Sequence, residues 1–202
     1  MDSIIFDLDG TLWNSLDSII TAWNKVLKEY NLEVKKEELQ AVTGLQMKEI
    51  GERLFPSLEK DERTRILAEC NAVECRWLSQ QGGILYDGLE EVLSYLSERY
   101  KLFIVSNCQD GYIEAFYTFH GLERFFKDYE NPGRTGLTKG ENIKLIMERN
   151  SLLKAIYVGD TESDRKAAET AGVPFVYADY GFGTPLSYDY KISSLQELKE
   201  LF

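Results

Sequence analysis

The chain of 202 residues is short of the residue types on which several common chemistries depend. Its three cysteines are an odd number without metal-site spacing, which leaves no thiolate metal centre and suits a reducing cytoplasm. The single histidine, His120, rules out mechanisms that need two, and its place before Gly121 fits a helix end. Positive charge is the minority: 23 Lys and Arg stand against 34 Asp and Glu, a formal net charge of −11. That balance argues against a nucleic-acid surface, because neutralising phosphates needs clustered Lys and Arg. Small phosphorylated substrates remain open, since one metal ion and one lysine can invert a local field. No apolar run approaches the roughly 20 residues of a membrane span, and the N-terminus lacks the basic region and apolar core of a signal peptide. Repeats and low-complexity tracts are missing as well. These absences predict a cytoplasmic protein, monomer or homodimer, with no membrane and no nucleic-acid partner.

What is present describes a folded domain. Hydrophobic residues make up 44% and charged residues 28%, within the globular range. Apolar residues at Leu16, Ile19, Ile20, Trp23, Val26, Leu27 and Tyr30 recur at helical spacing. Met47, Ile50, Leu54 and Phe55 make a second helix, stopped by Pro56. A third covers residues 61–80, with Ile66, Leu67, Cys70, Val73, Trp77 and Leu78 as inner positions, and Gly82-Gly83 breaks it. Strands are predicted at 3–8, 102–107, 155–160 and 174–178. Helices at 89–99, 111–119, 140–149, 163–171 and 194–201 alternate with them. That alternation implies an α/β fold with a Rossmann-like parallel sheet and helices on both faces. Residues 1–15 and 82–202 would form this core, and residues 16–81 an inserted all-helical cap.

Three predicted strands end in polar residues. IIFDLDGT runs into Asp7 and Asp9, FIVSN into Ser106 and Asn107, and IYVGDTESD into Asp160 and Asp164. Ligands of open α/β sheets sit beyond the carboxyl ends of the strands, so the topology can bring these groups together. Asp9-Gly10 is also an ordinary turn signal, but Asp7 directly follows Ile4, Ile5 and Phe6, where a charge needs a partner.

DLDGT, VSN, a lysine at a helix start and GDTESD together resemble the four motifs of the haloacid dehalogenase (HAD) superfamily. The helical insertion is similar to the cap of its phosphoglycolate phosphatase and β-phosphoglucomutase branch. The resemblance implies Mg²⁺-dependent hydrolysis of a small phosphorylated metabolite through an aspartyl-phosphate. On that reading Asp7 is the nucleophile and Asp9 the general acid/base. Mg²⁺, which prefers hard oxygen ligands, would be held by Asp7, the Asp9 carbonyl and Asp160, with Asp164 in support. Ser106, the Asn107 backbone and Lys139 would grip the phosphoryl oxygens. Leu45, Gln46 and Met47 in the cap would select the leaving group, with Trp13, Gln109 and Tyr112 as further contributors.

Departures from the pattern bear on particular residues. Gly140 follows Lys139 where many relatives carry proline, and Lys144 is a rival site lysine one turn further on. Asn14 stands where many relatives have an acid. Cys70 and Arg76 match the C-x5-R spacing of cysteine phosphatases, but the interval has no glycine and lies in a helical pattern. Cys108 reads as a packed thiol. A phosphomutase uses the same core and differs in how the cap excludes water. A non-enzymatic aspartyl-phosphate switch also combines acids, Ser or Thr and Lys, but has no use for the insertion.

Overall fold

Ile4, Ile5 and Phe6 are β-formers with no exposed face, and they sit where such residues belong, in the middle of a sheet. The computed structural model describes residues 1–202. Its strands are β1 Ser3–Phe6, β2 Trp13–Asn14, β3 Ile84–Leu85, β4 Lys101–Val105, β5 Phe126–Glu130, β6 Ala155–Gly159, β7 Phe175–Ala178 and β8 Tyr190–Ile192. Six of them form one parallel sheet in the order β5-β4-β1-β6-β7-β8. The helices are α1 Leu16–Leu27, α2 Lys36–Gln40, α3 Met47–Leu54, α4 Lys60–Gln81, α5 Leu89–Ser97, α6 Tyr112–His120, α7 Pro132–Thr135, α8 Lys139–Arg149, α9 Glu162–Ala171 and α10 Leu198–Leu201. No helix is long and apolar enough to cross a membrane.

Strand alternation divides the core between two faces. Ile4, Phe6, Ile104 and Val158 join one apolar cluster, which continues into α1, α4 and α6. Ile5, Phe103, Val105 and Tyr157 join another, under α8 and α9. The next inward position on this second face of β1 is Asp7, whose amide still pairs with the Val158 carbonyl at 2.8 Å. A carboxylate is thus delivered into the layer beneath α8 and α9.

Residues 16–81 contain α1 to α4 and no strand, and α1 packs chiefly on α4. Both chain crossings into this helical segment meet in the antiparallel ribbon of β2 and β3, with Trp13 opposite Leu85 and Asn14 opposite Ile84. Trp13 is fully buried there and packs edge-on to Tyr112, Phe116 and His120. It is therefore a packing residue at the crossing, and does not line the cavity described below.

The strand pattern differs from expectation at both sheet edges. Strands β5 and β8 were not anticipated, because FKDYE and YKI are polar, partly exposed and without clear alternation. β1 is also shorter than predicted, ending at Phe6. In α4 the buried stripe is Ile66, Leu67, Cys70, Glu74 and Leu78, whereas Val73 and Trp77 are only half-buried. Lys25 sits over the Trp77 ring, 3.3 Å from its centroid.

Candidate active site

Register brings the strand ends level. Phe6 pairs with Ile104 on one side and Val158 on the other, so Asp7, Ser106 and Asp160 emerge within a residue of one another. Lys139, the first residue of α8, reaches in from above. Its Nζ donates to Asp7 Oδ1 at 3.0 Å and to Asp164 Oδ1 at 2.7 Å, and all three side chains are buried. Lys144, by contrast, is exposed on the outer face of α8. Gly140 after the lysine has a packing reason: a Cβ there would lie 2.7 Å from Thr170 of α9, so glycine lets the two helices close.

Asp164 is the most heavily engaged acid. Its Oδ2 accepts from the Asp160 amide (3.2 Å), the Thr161 amide (2.9 Å) and the Thr161 hydroxyl (2.6 Å). Tyr157 Oη donates to the Val105 carbonyl at 2.7 Å and lies 3.3 Å from Asp164 Oδ1. The GDTESD segment is thus a helix capping box as well as a site element, with Thr161 as cap and Asp164 three residues on. Asp164 carries few free lone pairs and serves to hold Lys139.

Asp7, Asp160 and Asp164 each offer a carboxylate oxygen within 4.8 Å of the others. Asp160 Oδ2 accepts from the Phe182 amide at 2.6 Å, while its Oδ1 is buried with no partner. The Asp9 carbonyl accepts no backbone hydrogen bond. Three buried acids against one ammonium leave an excess of negative charge, which the carboxyl groups resist by holding protons. Burial, then the neighbouring Asp164, push Asp7 up to about 7, against the pull of Lys139. Asp160 is raised well above its ordinary value by burial and by Asp164 and Asp7. Burial works against the Lys139 charge, but Asp164 and Asp7 outweigh it and raise its pKa. A divalent cation with hard oxygen preference fits this donor set: an orphaned buried oxygen, a free carbonyl and uncompensated acids. Gly10 belongs to the same cradle, because its φ is +79° and a Cβ would lie 2.2 Å from Asp160 Oδ2.

Asp9 does not share a strand face with Asp7. β1 has ended, and the chain turns at Gly10, so the Asp9 carboxylate takes partners of its own from α6 and from Ser15. There its Oδ1 accepts from Tyr112 Oη at 2.8 Å and from Ser15 Oγ, and the Tyr112 and Ser15 hydroxyls are themselves 3.0 Å apart. Burial raises the Asp9 pKa, with these bonds opposing. Ser15, Tyr157 and Thr161 carry no signal in the sequence, and Tyr112, expected near the leaving group, both bonds Asp9 and lines the adjoining cavity.

Ser106 is buried, and its amide donates to the Glu130 carbonyl at 3.3 Å. Asn107 Nδ2 donates to the Gly44 carbonyl at 2.9 Å and to Ser163 Oγ at 3.3 Å, tying the loop before α3 to the strand ends. Between that loop, α1, α4 and the strand ends lies a cavity of about 50 Å³ with eight hydrophobic residues among its fourteen. Leu45 and Met47 line it together with Asp9, Asn107 and Tyr112. Gln46 lies elsewhere, on a separate cleft of about 380 Å³ that includes Lys139, Ser163 and Lys166. The cavity also holds Glu74, a buried acid on α4 whose Oε2 accepts from the Trp23 indole at 2.7 Å. Burial pushes Glu74 up to about 8, with Asp9 adding to the rise and hydrogen bonds from Trp23 and Gln109 opposing it. Its signal in the sequence was its place on the apolar stripe, four residues from both Cys70 and Leu78.

A parallel sheet that gathers carboxylates and one buried lysine at its strand ends defines an α/β enzyme. Residues 4–178 match the family described as haloacid dehalogenase-like hydrolase. The chain belongs to that family. It is 27% identical over 198 residues to a phosphoglycolate phosphatase of Photobacterium profundum, covering 91% of this chain and 86% of that one. Another from Rhodobacter capsulatus is 27% identical over 195 residues, covering 91% and 87%. Among solved structures, a haloacid dehalogenase-like hydrolase of Streptococcus pneumoniae superposes with a TM-score of 0.87 at 21% identity, covering 100% of this chain and 98% of that one. A CbbY variant of Rhodobacter sphaeroides, solved with xylulose-1,5-bisphosphate, gives 0.82 at 14% identity, covering 98% and 96%. Family and relatives together make the chain a hydrolase of the phosphatase kind.

Proposed function

We propose that this hydrolase cleaves a small phosphomonoester in two steps, through an aspartyl-phosphate on Asp7, with Mg²⁺ as its metal. The observation that carries this reading is the buried Lys139 bridging Asp7 and Asp164, with Asp160 within ligand distance of both acids. Lys139 takes Asp7 Oδ1, which leaves Oδ2 to attack phosphorus. The Ser106 hydroxyl and the Asn107 backbone N–H hold phosphoryl oxygens, and Lys139 neutralises part of their charge. Asp9, with its raised pKa, protonates the leaving oxygen and then takes a proton from the water that opens the acyl-phosphate. Tyr112 and Ser15 fix the orientation of its carboxyl. Asp7, the Asp9 carbonyl and Asp160 would hold Mg²⁺, which supplies positive charge to offset the meeting of phosphate and carboxylates.

Residues 16–81 act as the cap over this centre, moving on the β2–β3 ribbon. Three unpaired cysteines agree with a reducing cytoplasm. All the acids and the lysine come from one chain, so a monomer is a complete unit and a homodimer adds no ligand.

Asp7→Asn tests the reading. Turnover of p-nitrophenyl phosphate should fall below a few per cent with the fold intact by circular dichroism, and chelation of the wild type should abolish activity that Mg²⁺ restores. Acid quenching during turnover should trap a phosphoenzyme in the wild type and none in the variant. Activity in Asp7→Asn, or a wild type indifferent to chelation, would sink the scheme.

A further inference from the structure

The cavity beside Asp9 has an electrostatic character that the phosphate centre does not share. No lysine, arginine or histidine lines it. Its two ionisable acids are Asp9, on the core side, and Glu74, on α4. Glu74 is 3% exposed, and the Trp23 indole donates to its Oε2 at 2.7 Å. The neighbouring Gln109 amide, 3.8 Å from Cys75 Sγ, is a second donor beside Glu74. The rest of the wall is mostly apolar, including Leu45 and Met47. An acid on a mostly apolar wall without a cation favours an occupant that can hydrogen-bond to it and disfavours one that brings a second negative charge.

We infer that Glu74 is a specificity-determining residue, and that it selects a small leaving group which ends in a hydroxyl or ammonium and carries no negative charge. This deepens the proposed function and rests on its reading of Asp9: the group that protonates the leaving oxygen has the leaving group beside it, and Asp9 lines this cavity. Size follows from volume. About 50 Å³ is room for one or two water-sized groups, so the end of the leaving group that enters it must be small. Charge follows from the lining. A hydroxyl meets Glu74 in either protonation state and an ammonium draws it into its ionised form, whereas a carboxylate finds no cation on the wall. The positive side chains near the centre, Lys139 and Lys166, line the separate cleft on the other side of Asn107. Phosphoglycolate, the substrate in the names of the relatives above, ends in a carboxylate and is therefore disfavoured here.

The test compares kcat/KM for phosphoethanolamine, glycerol 1-phosphate and 2-phosphoglycolate in Mg²⁺, with p-nitrophenyl phosphate as a wild-type control. Loss of the control reaction would bring down the parent reading, and this inference with it. With the control active, the better of the two donor-bearing esters should exceed 2-phosphoglycolate by at least about tenfold, since unmatched buried polar groups give strong discrimination. Glu74→Gln should compress that ratio several-fold, more for phosphoethanolamine than for glycerol 1-phosphate, and Glu74→Leu should erase it. A wild type that prefers 2-phosphoglycolate overturns the assignment even if both variants fail to fold. A preference that survives both substitutions overturns it as well.

Discussion

At the residue scale the centre is a charge-balance problem with one lysine at its hinge. Two lysines on α8 compete for the role on sequence grounds, and a one-turn helix shift decides between a buried and an exposed ammonium. Lys139 at the helix start contacts two buried acids, whereas Lys144 contacts solvent. Lys139→Met leaves Asp7 and Asp164 facing each other without a cation. Breaking a buried pair from one side is expected to lower stability by up to about 3–5 kcal/mol, and turnover should vanish with it. Lys144→Met should change neither by a measurable amount. Urea melts in chelator at neutral pH, paired with p-nitrophenyl phosphate assays, check both, and equal effects from the two substitutions would remove Lys139 from the centre. The acids at the strand ends were legible because Asp7 interrupts an apolar run and Asp160 ends one. The hydroxyls that orient them, Ser15, Thr161 and Tyr157, were not. Ser, Thr and Tyr occur in every loop and strand, and only the distances single these out.

At the scale of the element, α4 shows why a helix was easy to predict and its inner face was not. The helix is long and breaks at glycine, but its average pattern is weak, and Val73 and Trp77 are as apolar as the residues that face inward. Glu74 sits on the buried stripe four residues from Cys70 and Leu78, and its partner there, the Trp23 indole of α1, is supplied by tertiary structure. Its burial has a pH signature. The folded-state pKa of about 8 lies above the ordinary value of 4.5, so between these values the native state holds a proton that the unfolded chain has released. Stability contributed by this group is present below pH 4.5 and lost as pH rises towards 8. Glu74→Gln keeps the Trp23 bond and does not titrate. Its stability relative to the wild type should therefore rise between pH 5 and pH 8, by at most about 1.4 kcal/mol per pH unit. Groups common to both proteins, Asp7 included, cancel in the difference. Denaturant melts across that range check the slope, and parallel profiles would mean that Glu74 is not held protonated. The edge strands make the same point from the other side: β5 and β8 exist through pairing with β4 and β7, not through their own alternation.

At the scale of the whole molecule, two centres of opposite character meet at Asn107. On one side lies the cleft that Lys139 lines, on the other the cavity under α1 and α4, and the Asn107 side chain ties the Gly44 loop down between them. The general division into sheet and helical insertion could be read from the switch between unbroken helical spacing and strand–helix alternation. Which side of Asn107 each cap residue faces could not, because Leu45, Gln46 and Met47 are consecutive and enter a helix whose turn sends neighbours in different directions. The geometry separates what the sequence had grouped. Leu45 and Met47 line the cavity with Asp9, and Gln46 lines the cleft with Lys139. Met47→Ala or Leu45→Ala should therefore reorder substrates that differ in leaving group, by about tenfold or more in relative kcat/KM for the loss of buried methylenes. Gln46→Ala acts in the cleft with Lys139, which the proposed mechanism gives to the phosphoryl group common to every substrate, so whatever it changes should change by one factor throughout. A panel of phosphomonoesters assayed against the three variants decides the matter. Reordering by Gln46→Ala, with uniform effects from Leu45→Ala and Met47→Ala, would place the leaving group in the Lys139 cleft and turn the site around.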